Sequence, residues 1–340
     1  MRPIGAVLWM ALIVGCRSPS GCGSVDVGEL PQELAAGLRG GRIACVNVGD
    51  HSISVIDVQR GREHIRIKLP VAEVDASGQE TFDTISGACV DPGRSIVWAA
   101  TTGGDLFAID VATRRVRVAL TDRGLSFSAL TWDPFRREVL LATDDGTIGR
   151  ARNGELVEVH RASRRVSRLG WMGERLVFVT IEDAIIGSGY FQSSVGCYDL
   201  RTRTLVFEHA FERGIAVDAV ASTNDRLWVA DSGNAQLHQF DALGNRRLSL
   251  DLGEFLPDRL VVSQERLLVS DRFQGRVLEF QLAGARMGTE PTGEYRIGSH
   301  GASAMLLMPD DVLAITVGQA GSVLLVRPSE AAPFTGYRFP

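Results

Sequence analysis

The chain has 340 residues, 45% hydrophobic and 7% aromatic, with 37 glycines against 12 prolines and a formal net charge of −5. That length and apolar content suffice for a large core, and the glycine excess suits many tight turns rather than disorder. An acidic balance with few aromatics lacks the basic footprint and the stacking platform of a nucleic-acid binder.

Residues 1–15 read as a secretion signal. Arg2 supplies a positive start, and Ile4–Val14 is an apolar run too short to span a bilayer. It ends in Leu12-Ile13-Val14-Gly15-Cys16, which resembles the bacterial lipobox. The resemblance implies that Cys16 is lipidated, becomes the mature N-terminus and holds the protein on a membrane through several acyl chains. Arg17, where an aspartate would mark inner-membrane retention in some Gram-negative bacteria, points to the outer membrane. The expected location is the cell envelope, as an outer-membrane lipoprotein; an ordinary cleaved signal is the alternative. Residues 16–30 then comprise the lipidated cysteine and a flexible tether, since Arg17–Gly28 is rich in Ser, Pro and Gly. The remaining thiols, Cys22, Cys45, Cys89 and Cys197, form no CxxC pair and are spaced too widely for a local zinc site. An oxidising compartment permits a Cys45–Cys89 bridge, and buried free thiols are the alternative.

From residue 31 to 340 the chain repeats one unit, expected to form a single domain. Two short apolar segments flank a turn of Gly, Asn or Asp, residue types that adopt the backbone of tight hairpins. Copies run over Arg42–Val58, Ser95–Val111, Glu138–Arg152, Arg175–Leu200, Leu227–Gly244, Arg266–Leu282 and Val312–Val326. Their starts lie about 45 residues apart on average, and the fifth copy, Leu227-Trp228-Val229-Ala230 with its Asp231-Ser232-Gly233-Asn234 turn, is the plainest. An apolar segment precedes most copies, such as Ile85–Val90, Leu169–Trp171 and Leu260–Val262; a more polar one, such as Val116–Leu120 or Leu156–His160, follows. Four strands per repeat of this length predict an all-β fold, a β-propeller of seven four-stranded blades. Middle strands are apolar on both faces because blades stack sheet on sheet. Pro31–Leu38 alone is compatible with a helix, which leaves the first copy without an inner strand. Ring closure is expected from a strand lent by one terminus to the blade begun by the other.

Asp231-Ser232-Gly233-Asn234 with Leu237, Phe240, Asp241 and Gly244 resembles the NHL repeat. Gly49-Asp50-His51-Ser52-Ile53-Ser54-Val55-Ile56-Asp57 is similar to the YVTN repeat of bacterial surface and periplasmic propellers. Both resemblances concern fold and carry no activity.

In such a ring the hairpin turns and the inter-blade connections share one face around the channel mouth, the natural ligand position. That face collects Asp50, His51, Asp83, Asp144, Asp145, Asp218, Asp231, Asp258, Arg259, Asp271, Arg272 and His300. Asp231 and Asp271 read as caps of their own turns. The long turn Glu182–Ser194 brings Tyr190 and Phe191 to the same mouth, suited to a partner or folded over the channel. The candidate ligand-binding set is therefore Asp83, Asp218, Asp258, Arg259, His300, Tyr190 and Phe191. Arg161, Arg164, Arg165 and Arg168 read as a solvated outer strand and its connection, with anionic envelope lipid or polysaccharide as the functional alternative.

No GxSxG, HExxH or P-loop pattern is present. NHL propellers with amidating-lyase activity hold zinc with three histidines, whereas only His51 and His300 fall near this mouth. The expected function is a lipid-anchored, non-catalytic scaffold that binds a protein or small polar ligand and needs no cofactor. The alternative is a metal-dependent, lactonase-like hydrolase holding a divalent cation at the acidic mouth. Asn47, Asn224 and Asn234 do not fall on the innermost segments where such enzymes place their ligands.

Overall fold

A computed structural model describes residues 22–70, 73–74, 80–81, 83–181, 192–211, 216–221, 225–263, 265–271, 273–283, 286–288, 290–297, 301–308, 310–317 and 320–327. These residues form seven antiparallel four-stranded blades of a β-propeller, with Arg286–Met287 as a short extra strand on blade six and a separate two-stranded ribbon, Glu73–Val74 with Glu80–Thr81. The inner strands are Pro31–Leu38, Ile85–Asp91, Phe127–Asp133, Val166–Met172, Ala216–Ala221, Pro257–Val262 and Met305–Leu307. Each packs against the next, and the first packs against the seventh, so the ring is closed.

Burial explains the residue pattern of a blade. In blade one the second and third strands, Arg42–Asn47 and Ser52–Asp57, are almost wholly buried, while the outer strand Arg62–Lys68 alternates between core and solvent. Seven apolar clusters fill the seams between blades; Trp228, Leu237, Leu267 and Phe280, for example, join blades five and six. The hairpin registers follow the repeat, with Trp228 opposite Gln239 and Asp231 opposite Gln236 in the fifth copy. On the face away from the mouth, aspartates close the turns: Asp133 accepts from the backbone N–H of Phe135 and Arg136, and Asp199 from those of Arg201 and Thr202.

Pro31–Leu38 is a strand, paired with Arg42–Asn47, and not a helix. Gly37 sits at φ +110°, outside helical geometry. This segment is the inner strand that the first copy lacked.

The N-terminus closes the ring. Cys22–Asp26 pairs with Ser322–Val326, in register from Cys22–Val326 to Asp26–Ser322, as the outer strand of blade seven. Val25 packs with Ile43, Ile56, Ala314 and Val323. The sequence assigned these residues to a flexible tether; they are ordered because pairing covers an edge that would otherwise stand open. Phe334–Phe339 and the 1–21 segment lie outside the described residues.

Cys45, Cys89 and Cys197 are free and buried. Cys45 packs in the seam between blades one and seven and Cys89 in the seam between blades two and three, so a Cys45–Cys89 bridge does not form. Burial raises all three thiols above their ordinary range, Cys197 to about 12.

Candidate functional site: the charged channel

Six inner strands break register with their neighbour at one shared position near the mouth. The breaks fall between Pro31 and Glu33, Ile85 and Gly87, Phe127 and Ala129, Val166 and Arg168, Ala216 and Asp218, and Pro257 and Leu260. A bulge of this kind re-aims the residue that carries it. Hydroxyls take up backbone groups there: Ser86 Oγ donates to the Ala100 carbonyl at 3.2 Å and Ser167 Oγ to that of Val179 at 3.3 Å. In blade six the Arg259 N–H donates to Ser270 Oγ at 3.1 Å.

The bulges line the channel with small residues on some blades and charged ones on others. Glu33, Gly87, Arg168, Asp258 and Arg259 border one cavity of about 410 Å³, together with Phe273, Ala302 and Ser303. Gly87 makes room: a β-carbon there would stand 2.9 Å from Leu130 and 3.5 Å from the Glu33 carboxylate. Arg168 Nη1 lies 3.5 Å from Glu33 Oε2, and Arg259 Nη1 lies 3.6 Å from Asp258 Oδ1. Arg259 Nε donates to the Ser303 carbonyl at 2.7 Å, tying blade six to blade seven. The Leu260 N–H donates to Asp218 Oδ2 at 3.0 Å, tying blade six to blade five.

The electrostatics follow from the Glu33 and Asp258 carboxylates sharing one cavity with the Arg168 and Arg259 guanidinia, with Asp218 close enough to act on both arginines. Burial pushes Asp218 above the usual carboxylate range, against the pull of Arg259 and Arg168. Arg259 is held below its ordinary value by burial and by repulsion from Arg168. For Arg168 burial works in the same direction, but Glu33, Asp218 and Asp258 outweigh it and the guanidinium is held above its ordinary value. The set can offer guanidinium donors to an anionic group and carboxylate acceptors to a cationic or hydroxylated one.

Of the residues expected at the mouth, Asp218, Asp258 and Arg259 lie close together. Asp83 does not join them: it pairs with Arg123 Nη1 at 2.9 Å over the Gly103 turn on the rim. His300, Tyr190 and Phe191 lie outside the described residues, as does Cys16. Asp231 and Asp271 cap their turns, accepting from the N–H groups of Asn234 and of Phe273 and Gln274. Arg161 and Arg165 form rim ion pairs with Asp145 and Asp144. Arg168 departs from that group, standing on the inner strand of blade four inside the channel.

Sequence reasoning missed Glu33 and Arg168. Glu33 fell in the segment compatible with a helix, and Arg168 fell in an arginine run. A signal was available for the second. Ile85-Ser86-Gly87-Ala88, Phe127-Ser128-Ala129-Leu130 and Val166-Ser167-Arg168-Leu169 share an apolar–Ser–x–apolar frame that sets Arg168 in the channel register.

Among the described residues no group of three or more His, Cys, Asp or Glu side chains is arranged to hold a metal ion. Among the described residues no helix is long and apolar enough to cross a membrane.

The sequence matches no protein-family model and no curated protein. Among solved structures, a chain of the Kuenenia stuttgartiensis hydrazine synthase is similar, with a TM-score of 0.71 over 89% of this chain and 96% of that one at 13% identity. At that identity the likeness is one of fold, and it agrees with the propeller built above.

Proposed function

We propose that the protein is a lipid-anchored scaffold of the cell envelope, with repeats of the NHL and YVTN kind, that binds a small polar ligand at the channel mouth without catalysis. The observation that carries the reading is the cluster of Glu33, Arg168, Asp258 and Arg259 around one cavity of about 410 Å³, with Asp218 acting electrostatically on both guanidinia. The ion pairs there, at 3.5 and 3.6 Å, are longer than charge-assisted hydrogen bonds of 2.7–2.9 Å, so the guanidinia keep donor capacity for a ligand. Phe273, 62% exposed at the rim of the same cavity, adds an apolar contact. A ligand carrying both an anionic and a cationic or hydroxylated group matches this set.

The test is thermal stabilisation of the purified protein by a panel of amino acids, sugar acids and small dicarboxylates. A ligand present at about a hundred times its Kd stabilises by roughly 2.7 kcal/mol, and Arg168→Gln removes the effect while the circular dichroism stays that of the wild type. A panel in which no compound stabilises the wild type, or in which Arg168→Gln responds equally, rejects the channel as the site.

A further inference from the structure

On the face opposite the channel mouth, a cavity of about 330 Å³ lies between blades one and two, where their turns converge. It is lined by Arg39, Arg42, His64, Arg94, Ser95 and Arg114, and none of the residues lining it is acidic. Four guanidinia in one concavity raise the local potential and favour an anion among them. Two of them are already placed by protein: Arg39 Nη2 donates to the Gly93 carbonyl at 2.9 Å, and Arg94 Nε stands 3.9 Å from Asp91. Arg42 and Arg114 have no ion-pair partner among the described residues. Arg42 Nε and Ser95 Oγ are both buried and both lack a hydrogen-bond partner. A buried polar group left unmade costs stability, and an anion entering this basic pocket would accept from both.

We infer that this groove is a phosphate site, binding the phosphoryl group of an anionic ligand. Its donors come from two blades and so approach from several directions. A tetrahedral oxyanion with oxygens on every side accepts all of them, whereas a planar carboxylate accepts from fewer. The phosphoryl group belongs either to a phospholipid headgroup or to a soluble phosphate ester. The chain reaches Cys22 on this same face, where Cys22 pairs with Val326.

The experiment uses the full chain carrying Cys16→Ser, so that no acyl chain contributes. Inorganic phosphate is titrated by calorimetry at low salt, and co-sedimentation is measured with phosphatidylglycerol vesicles. Saturable phosphate binding is expected, weakened roughly ten- to hundred-fold by Arg42→Gln and, separately, by Arg114→Gln at an exposed position where the fold is not at risk. Vesicle binding that phosphate competes away, and that both substitutions weaken, assigns the phosphoryl group to a headgroup. Phosphate binding without vesicle binding assigns it to a soluble ester. The inference is overturned if phosphate shows no saturable binding, if vesicles bind while phosphate does not, or if Arg114→Gln leaves phosphate binding unchanged.

Discussion

Arg168 and Glu33, 135 residues apart in the chain, meet across the channel with Nη1 and Oε2 3.5 Å apart. They stand on the inner strands of blades four and one, so the pair spans the channel between distant blades. Each keeps just over a quarter of its side chain open to channel water, 27% and 30%.

A double-mutant cycle measures that contact. Arg168→Gln and Glu33→Gln should each lower stability by about 1–3 kcal/mol, since each leaves a part-buried charge without its partner. The pair should recover part of the loss, with a coupling of about 0.5–3 kcal/mol by urea denaturation. Additive effects would show that the two charges do not sense each other.

Acidification should weaken the fold through three histidines. His51 is lowered by burial, which outweighs Asp83, the Pro70 backbone and Asp50; His160 by burial against Phe178 and Tyr198; His209 by burial and by Arg246. Each binds fewer protons folded than unfolded once pH drops through the unfolded value of 6.5. Stability therefore declines from there down to the lowered native values, where this contribution levels off. The midpoint temperature should fall between about pH 7.5 and about pH 5.5, and His51→Gln with His160→Gln and His209→Gln should flatten the slope. A flat wild-type profile over that range contradicts the assignment.

Closure by the first strand is open to a direct test. Val25→Asp places a carboxylate among Ile43, Ile56, Ala314 and Val323 and should cost about 3–5 kcal/mol. The exposed edge of Ser322–Val326 should then promote association, visible by light scattering on heating. An unchanged midpoint would mean that the strand is dispensable.

Membrane attachment rests on one cysteine in the proposal. Cys16→Ser should leave the protein soluble after cell fractionation, with the propeller intact by circular dichroism. Retention in the membrane fraction, with the signal removed, would place the anchor elsewhere.

The hairpins were legible from residues because their information is local. Asp231 to Asn234 is at once a turn sequence and a cap, and the buried run Leu227–Asp231 announces its strand. Inner strands were harder. The bulge that turns Glu33 and Arg168 into the channel depends on register against a neighbouring strand, which neither apolar periodicity nor turn chemistry encodes. Cys22–Asp26 has no periodicity strong enough to be read as a strand, and its order comes from a partner at the far end of the chain. Cys45 and Cys89 illustrate the same limit: their oxidation state follows from which seam each faces.

Because Cys22–Asp26 completes a blade made from the last strands, with Cys22 opposite Val326, the ring behaves as a clasp. Its two halves are joined by about 300 residues of chain, so closure is expected late in folding, at an entropic cost that grows only slowly with that length. A polypeptide cut short near its C-terminus leaves both ends of the clasp without a mate. A circular permutant that carries residues 22–27 after residue 327 would join them in one hairpin and should fold faster to the same ring.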